Sequence, residues 1–267
     1  MRVSMLLAAV GLVSASAAFA SNYIDGYVGK IQAMGSAGLR LQGSAADTIL
    51  RGNMGNDWLH GGGGNDSLSG GNDNDTLSGG AGNDLLDGGA GDDLLNGGYG
   101  NDTYIFGIGY GVDTIYDNDT TQDNVDVISF QAGIAPEDVL VKRNGDNLEL
   151  HIVGTTDTLI VERYFSPYAR NIWYTYNVNM NKIEQIVFDN GTIWDIATIA
   201  DKARYITGTE DSETISGFDT NDVITAGAGD DTVYASSGDD IVHGNDGNDV
   251  LYGDYGNDQL FGGAGND

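Results

Sequence analysis

Large apolar residues recur every nine positions along two stretches of the chain. In the first stretch, residues 52–105, six units follow one another without a phase break: GNMGNDWLH, GGGGNDSLS, GGNDNDTLS, GGAGNDLLD, GGAGDDLLN and GGYGNDTYI. Position eight of each unit is apolar: Leu59, Leu68, Leu77, Leu86, Leu95 and Tyr104. The rest is mostly Gly, Asn, Asp and Ser, residues that favour turns and tolerate positive φ. The pattern predicts a six-residue turn and a three-residue strand per unit, with position eight facing one way and positions seven and nine the other. One apolar side chain per unit cannot be buried by that unit alone. Stacking units lines these side chains into a continuous core. Two strands and two turns then make a coil of eighteen residues. Consecutive turns fall on opposite edges, and units two apart stack on the same edge.

The pattern returns near Gly208 with GTEDSETIS, GFDTNDVIT, AGAGDDTVY, ASSGDDIVH, GNDGNDVLY and GDYGNDQLF, then GGAGND. Its apolar positions are Ile215, Ile224, Val233, Val242, Leu251 and Leu260. The first two units have Asp211 and Thr220 where Gly is usual and are expected to be weak or capping units. Asp73 departs at the same place in the first array, and Asp tolerates that backbone. Residues 42–50 carry Asp47 and Ile49 and read as a degenerate cap one residue out of phase. The sequence stops six residues into a unit at Asp267. Solenoids usually end in a polar cap, so a longer parent with further domains downstream is expected.

Between the arrays the period disappears, and most aromatic and basic residues appear. Strands are predicted over 125–130, 139–143, 148–153, 158–162 and 183–188. Asn144-Gly145 reads as a hairpin turn and Asn190-Gly191 as a second turn. Asp195 precedes a short helix, 196–203, with Ile196, Ile199, Ala200 and Ala203 on one face. This segment is expected to have its own apolar core and to stay folded without metal. Trp173, Tyr174 and Tyr176, near Tyr164, Phe165 and Tyr168, serve either as packing of a β domain or as a carbohydrate- or partner-binding platform.

Position six of the repeats carries the chemistry. It is Asp57, Asp66, Asp75, Asp84, Asp93 and Asp102 in the first array. In the second it is Glu213, Asp222, Asp231, Asp240, Asp249, Asp258 and Asp267. Stacking places Asp57, Asp75 and Asp93 on one edge, and Asp66, Asp84 and Asp102 on the other. Bare carboxylates about 4.8 Å apart repel by about 1 kcal/mol in water and about 3 kcal/mol at an effective dielectric of 20. A hard divalent cation between successive turns reverses the sign. One carboxylate per turn is too few for such an ion, so turn carbonyls must supply the remaining oxygens, and Gly lets the backbone approach. An all-oxygen site, no Cys, and His60, His151 and His243 away from position six argue against zinc and copper. Magnesium demands stricter octahedral geometry, which leaves Ca²⁺, several ions per chain, held by the Asp residues at position six.

Net charge is −29 and the sequence pI about 4.1. This excludes ordinary nucleic-acid binding, which needs a basic face. Absent Cys rules out a disulfide scaffold, leaving metal ions to cross-link the fold. Residues 1–20 have the form of a signal peptide: Arg2, an apolar run over 5–13, and Ala18-Phe19-Ala20 as the cleavage site. The run is too short to span a membrane. No HExxH or G-x-S-x-G motif is present, so no enzyme is expected. A glycosidase carboxylate pair, were there one, would come from the insert, for instance from Glu137, Asp138, Glu149 and Glu162.

The nonapeptides G-G-x-G-x-D-x-U-x resemble the RTX, or haemolysin-type calcium-binding, repeat. The segment between the arrays resembles the haemolysin-type calcium-binding-related domain, on GVDTI at 111–115, DVISF at 126–130, IAPEDV at 134–139, GDNLEL at 145–150 and IEQIVFDNGTIW at 183–194. The resemblance implies no catalytic activity. It implies an all-β chain: two parallel β-roll (β-solenoid) arrays flanking a small β-rich domain. The expected organisation is a signal peptide (1–20), a linker (21–41), a first β-roll (42–105), the related domain (106–205) and a second β-roll (206–267). The expected function is a secreted, extracellular calcium-binding module that folds outside the cell, structural or adhesive. The alternative is an accessory part of a larger RTX hydrolase or toxin. Family members also leave cells through a C-terminal export signal, an alternative route to Sec. A membrane or cell-surface partner is left unassigned.

Overall fold

The computed structural model describes residues 13–16, 23–25, 31–34, 38–117, 119, 124–165 and 183–267. Contacts divide the chain into two compact units, Met1–Ile196 and Ala197–Asp267.

Through the first array each strand pairs in parallel with the strand two repeats on. Trp58–Gly63 pairs with Thr76–Ala81, setting Leu59 against Leu77. Ser67–Asn72 pairs with Leu85–Ala90, setting Leu68 against Leu86. Both registers are steps of eighteen residues, as the two-unit coil requires. Leu41, Leu50, Leu59, Leu68, Leu77, Leu86, Leu95 and Tyr104 stack between the two sheets, each at most 1% exposed. Each buried Leu stabilises the fold by about 1.5–3 kcal/mol. Tyr104 keeps a polar tip in this core: its hydroxyl accepts from the Gly97 amide at 2.8 Å and donates to Asp117 Oδ2 at 3.2 Å.

Four expectations change. Strands of the first array such as Trp58–Gly63 are six residues long rather than three, because positions two and three of the next repeat also pair. Residues 42–50 are in phase: Leu50 pairs with Leu68 and is buried, so Thr48 holds position six and Asp47 position five. The expected linker contributes strands, including Arg40–Gln42, which pairs with Trp58–Gly63 and buries Leu41. Of the expected signal peptide, only Val13–Ser16 is described, as a strand beside Ile31–Met34; residues 1–12 and 17–20 lie outside the described residues.

The fourth change concerns residues 106–205. The two sheets run on past residue 105. Thr103–Phe106 pairs with Val127–Phe130, which pairs with Gln185–Val187. Leu94–Tyr99 pairs with Val112–Ile115, which pairs with Thr158–Val161. Ile115, Ile128, Val161 and Ile186 extend the leucine core, so the segment shares that core. Antiparallel strands then finish the sheets: the hairpin Val139–Asn144 and Asn147–Ile152, turning at Gly145 with φ +60°, and Ile193–Asp195 beside Gln185–Val187. Rings fill the wider core here, with Phe130 stacked on Phe188 at 5.2 Å and Trp194 edge-on to Phe188 at 4.7 Å. Residues 166–182, with Tyr168, Trp173, Tyr174 and Tyr176, lie outside the described residues. Tyr164 is buried edge-on to Phe165 at 4.9 Å.

The helix forms over Ile196–Ala203, burying Ile199 and Ala203. The second unit is a roll of the same kind, with Ile215, Ile224, Val233 and Val242 in its core. Its strands alternate between six residues, as in Ile241–Asp246, and three, as in Thr232–Tyr234. On the short side position two is Ser236 or Asp254, held at φ 79° and 61°. A side chain at position two does not by itself shorten the strand, because Asn245 stands at φ 74° inside Ile241–Asp246. Among the described residues no helix is long and apolar enough to cross a membrane.

Candidate metal sites

Most position-six carboxylates are held by one oxygen and left open at the other. Oδ1 accepts the amide of the position-six residue one coil earlier. The Asp57 amide donates to Asp75, Asp75 to Asp93, Asp66 to Asp84 and Asp84 to Asp102, each at 2.7 Å. In the second unit Asp222 donates to Asp240 (2.7 Å), Asp231 to Asp249 (2.9 Å), and Asp240 to Asp258 and Asp249 to Asp267 (both 3.0 Å). The edges are therefore those expected from the eighteen-residue coil. Position five runs a ladder in the opposite sense: the Asn83 amide donates to Asn65 Oδ1 and Asn101 to Asn83 Oδ1.

The second oxygen is the orphan. Oδ2 of Asp57, Asp66, Asp75, Asp84, Asp93, Asp102, Asp231, Asp240 and Asp249 is buried with no hydrogen-bond partner. A buried, unpaired charged oxygen costs more than an ordinary unmade hydrogen bond. Position one explains itself here. A Cβ on Gly70 would strike Asp75 Oδ2 and lie 2.6 Å from the Gly88 carbonyl oxygen. A Cβ on Gly79 would strike Asp84 Oδ2 and lie 2.6 Å from the Gly97 carbonyl oxygen. Carboxylate and carbonyl oxygens thus converge beside position one, where the first array has Gly in every unit and the units of Asp231 and Asp240 have Ala226 and Ala235. Among the described residues no three His, Asp or Glu side chains gather as a metal cluster. An ion here must therefore draw on the backbone, as Ca²⁺ does readily. The residues present fit that ion.

The ladder has exceptions. Asp222 spends its carboxylate on its own turn, accepting from the Phe218 amide at 2.6 Å and the Thr220 hydroxyl at 3.0 Å. Glu213 likewise accepts from the Thr209 amide and hydroxyl. These are the two units expected to be weak. Asp258 and Asp267 are more exposed than the other position-six Asp residues. Asp102 is not the end of its edge: its amide donates to Asp126 Oδ1 at 2.8 Å. Sequence reasoning missed Asp126 and Asp113 because insertions shift the period, although the Asp-x-Ile signature, DTI and DVI, is intact. His60 reaches Ser78 Oγ at 3.1 Å and His243 stacks on Phe261, both away from the carboxylates. Among the insert's acids, Asp138 accepts the Ala135 amide, and Glu149 binds Asn144 and His151.

Without a cation these carboxylates resist ionisation. Burial, opposed by the amide bond and helped by neighbouring Asp residues, pushes Asp57, Asp66 and Asp93 up to about 6, and Asp75 and Asp102 to about 7. The folded chain then holds protons that the unfolded chain has already released. Metal-free stability is greatest below the unfolded value of 3.8 and falls as pH rises through about 6 to 7. In chelator, the far-ultraviolet β signal is expected to grow as pH falls from neutral towards about 4. A signal that only declines on acidification contradicts this.

The family model for the RTX calcium-binding nonapeptide repeat (4 copies) matches residues 42–77, 51–86, 78–112, 207–242 and 234–267. Residues 42–112 and 207–267 are RTX calcium-binding nonapeptide repeats. The haemolysin-type calcium binding protein related domain matches residues 147–198, the later half of the segment between the RTX arrays. Iron-regulated protein FrpA of Neisseria meningitidis serogroup C is 36% identical over 109 residues, 41% of this chain but only 9% of that relative's length. The extracellular lipase LipA from Serratia marcescens aligns with 89% of this chain and 31% of its own, at 14% identity and a TM-score of 0.25, too low to carry an argument. RTX repeats are calcium-binding, and the ladder is the part of this chain that answers to that property.

Proposed function

We propose that this RTX chain is a secreted module whose rolls fold on Ca²⁺ outside the cell, with a structural or adhesive role and no catalytic step. The ligands are Asp57, Asp66, Asp75, Asp84, Asp93, Asp102, Asp231, Asp240, Asp249, Asp258 and Asp267 through Oδ2, with position-one carbonyls completing the shell. Asp222 joins them if the ion displaces its turn hydrogen bonds. The observation that carries this reading is the row of buried Oδ2 atoms without a donor. Low calcium inside a cell leaves the ladders unpaired, and calcium outside adds RT ln(1 + [L]/Kd) of stability per site. Coupled sites make that switch steep.

A second reading, an accessory part of a longer RTX hydrolase or toxin, is favoured by the small share, 9%, of the curated relative that the match spans. Both readings require export. N-terminal sequencing of secreted chain is expected to begin at Ser21. Intact Met1 in the medium would remove the signal-peptide reading and favour a C-terminal export signal.

A further inference from the structure

The carboxylate ladder on one edge continues where the nonapeptide phase breaks. Asp93 is the last position-six Asp of that edge in the regular array, and the RTX match ends at residue 112. Asp113, twenty residues on, repeats the arrangement. Its Oδ1 accepts the Asp93 amide at 3.0 Å, the side chain is fully buried, and Oδ2 has no partner. Leu94 pairs with Thr114 and Leu95 with Ile115, so the register matches that between earlier units. Read from this Asp, residues 108–116, IGYGVDTIY, place Gly at positions two and four, Asp at six and Ile at eight. Phe106 and Gly107 are the two inserted residues that hide the unit. Gly111 keeps its place in the turn, at φ +87° with the Gly91 carbonyl oxygen where a Cβ would stand, as Gly91 faces the Asp73 carbonyl; the start of the turn is reshaped, with Ile108 at position one and open space beside Gly109. The position-five ladder also passes through it, the Val112 amide donating to Asp92 Oδ1 at 2.9 Å.

We propose that Asp113 is a cation ligand in this disguised repeat, extending the calcium ladder of its edge by one rung beyond Asp93. The proposal rests on the reading of the regular ladder as calcium sites. The charged groups bearing most on Asp113 are Asp93, Asp92 and Asp87, all acidic, so no basic neighbour among them compensates its charge. The same edge shows where the ladder stops. In the next coil Leu159 stands opposite Asp113, and Asp157 turns instead to the Gly109 and Gly111 amides at 2.9 and 2.8 Å. At the other end the Leu39 amide donates to Asp57. The edge thus runs Asp57, Asp75, Asp93, Asp113 between two leucines. Asp126 on the opposite edge differs, because its Oδ2 accepts from Asn124 Nδ2 at 3.0 Å.

Asp113→Asn removes the charge and keeps an acceptor for the Asp93 amide. Calcium bound per full-length chain is counted by equilibrium dialysis at saturating calcium, beside Asp75→Asn and the natural chain. Asp113→Asn is expected to keep the calcium-bound β spectrum and to bind one ion fewer than the natural chain. An unchanged count in Asp113→Asn with a reduced count in Asp75→Asn overturns this proposal and leaves the regular ladder standing. Unchanged counts in both variants, or no calcium bound by the natural chain, overturn both. If Asp113→Asn does not fold, a crystal structure of the calcium-loaded natural chain decides. An anomalous calcium peak about 2.3–2.6 Å from Asp113 Oδ2 supports the rung. A peak at Asp75 with none at Asp113 overturns it.

Discussion

In excess chelator at neutral pH the chain is expected to lose most of its β structure, including the segment after residue 105, and to regain it at calcium of about 10⁻⁴–10⁻³ M. The expectation follows from two opposed terms. Each coil of the first array buries two large apolar side chains, one from each strand. Against this stand stacked carboxylates, each neighbouring pair repelling by about 3 kcal/mol at an effective dielectric of 20. Two such pairs offset about 6 kcal/mol, comparable with the lower end of a domain's total stability of about 5–15 kcal/mol. Partial protonation softens the repulsion without removing it. Because Val112–Ile115 and Val127–Phe130 hydrogen-bond directly to strands of the first array, they are expected to lose protection with it. Amide hydrogen exchange checks this segment by segment. Persistent protection of residues 127–161 in chelator, with the first array exchanging freely, would restore the separate domain that the sequence suggested.

Replacing Asp75 by Ala is expected to act along one edge only. It removes the carboxylate facing the cradle at Gly70 and leaves the buried Asp57 amide without its acceptor. The lost acceptor alone costs about 1–3 kcal/mol. The lost charge adds to this at each ion Asp75 shares, so the calcium midpoint should rise. Asp93 is the next rung and Asp84 belongs to the opposite edge. Asp75→Ala combined with Asp93→Ala should therefore be non-additive by about 0.5–3 kcal/mol, whereas Asp75→Ala with Asp84→Ala should add within about 0.5 kcal/mol. Equal coupling in the two pairs would argue against the eighteen-residue coil as the unit of binding.

Much of this was legible because a solenoid writes its core and its edges at fixed spacing. Position eight marked the leucine stack, position six the carboxylates, and parity of the unit number the edge. The helix at 196–203 and the hairpin at Asn144-Gly145 were carried by local signals that tertiary packing did not override. What failed was phase. At residues 42–50, Asp47 drew the register one place off, although Thr48 stands at position six and Leu50 in the core. After residue 105, insertions of two and then four residues shifted the period while strand pairing carried on, since a turn absorbs extra residues without changing which strands meet. Asp113 and Asp126 were missed for that reason. Changed composition likewise suggested a separate domain, because the wider core is filled by aromatic rings rather than leucines.

The most direct measurement is a calcium titration of the full chain in which bound ions are counted by equilibrium dialysis and β structure is followed by circular dichroism in the same samples. The ladder account predicts several ions per chain, with the β signal rising in step with the count over a narrow calcium range. A roll spectrum already complete in excess EGTA, or one that forms without bound calcium, would contradict it.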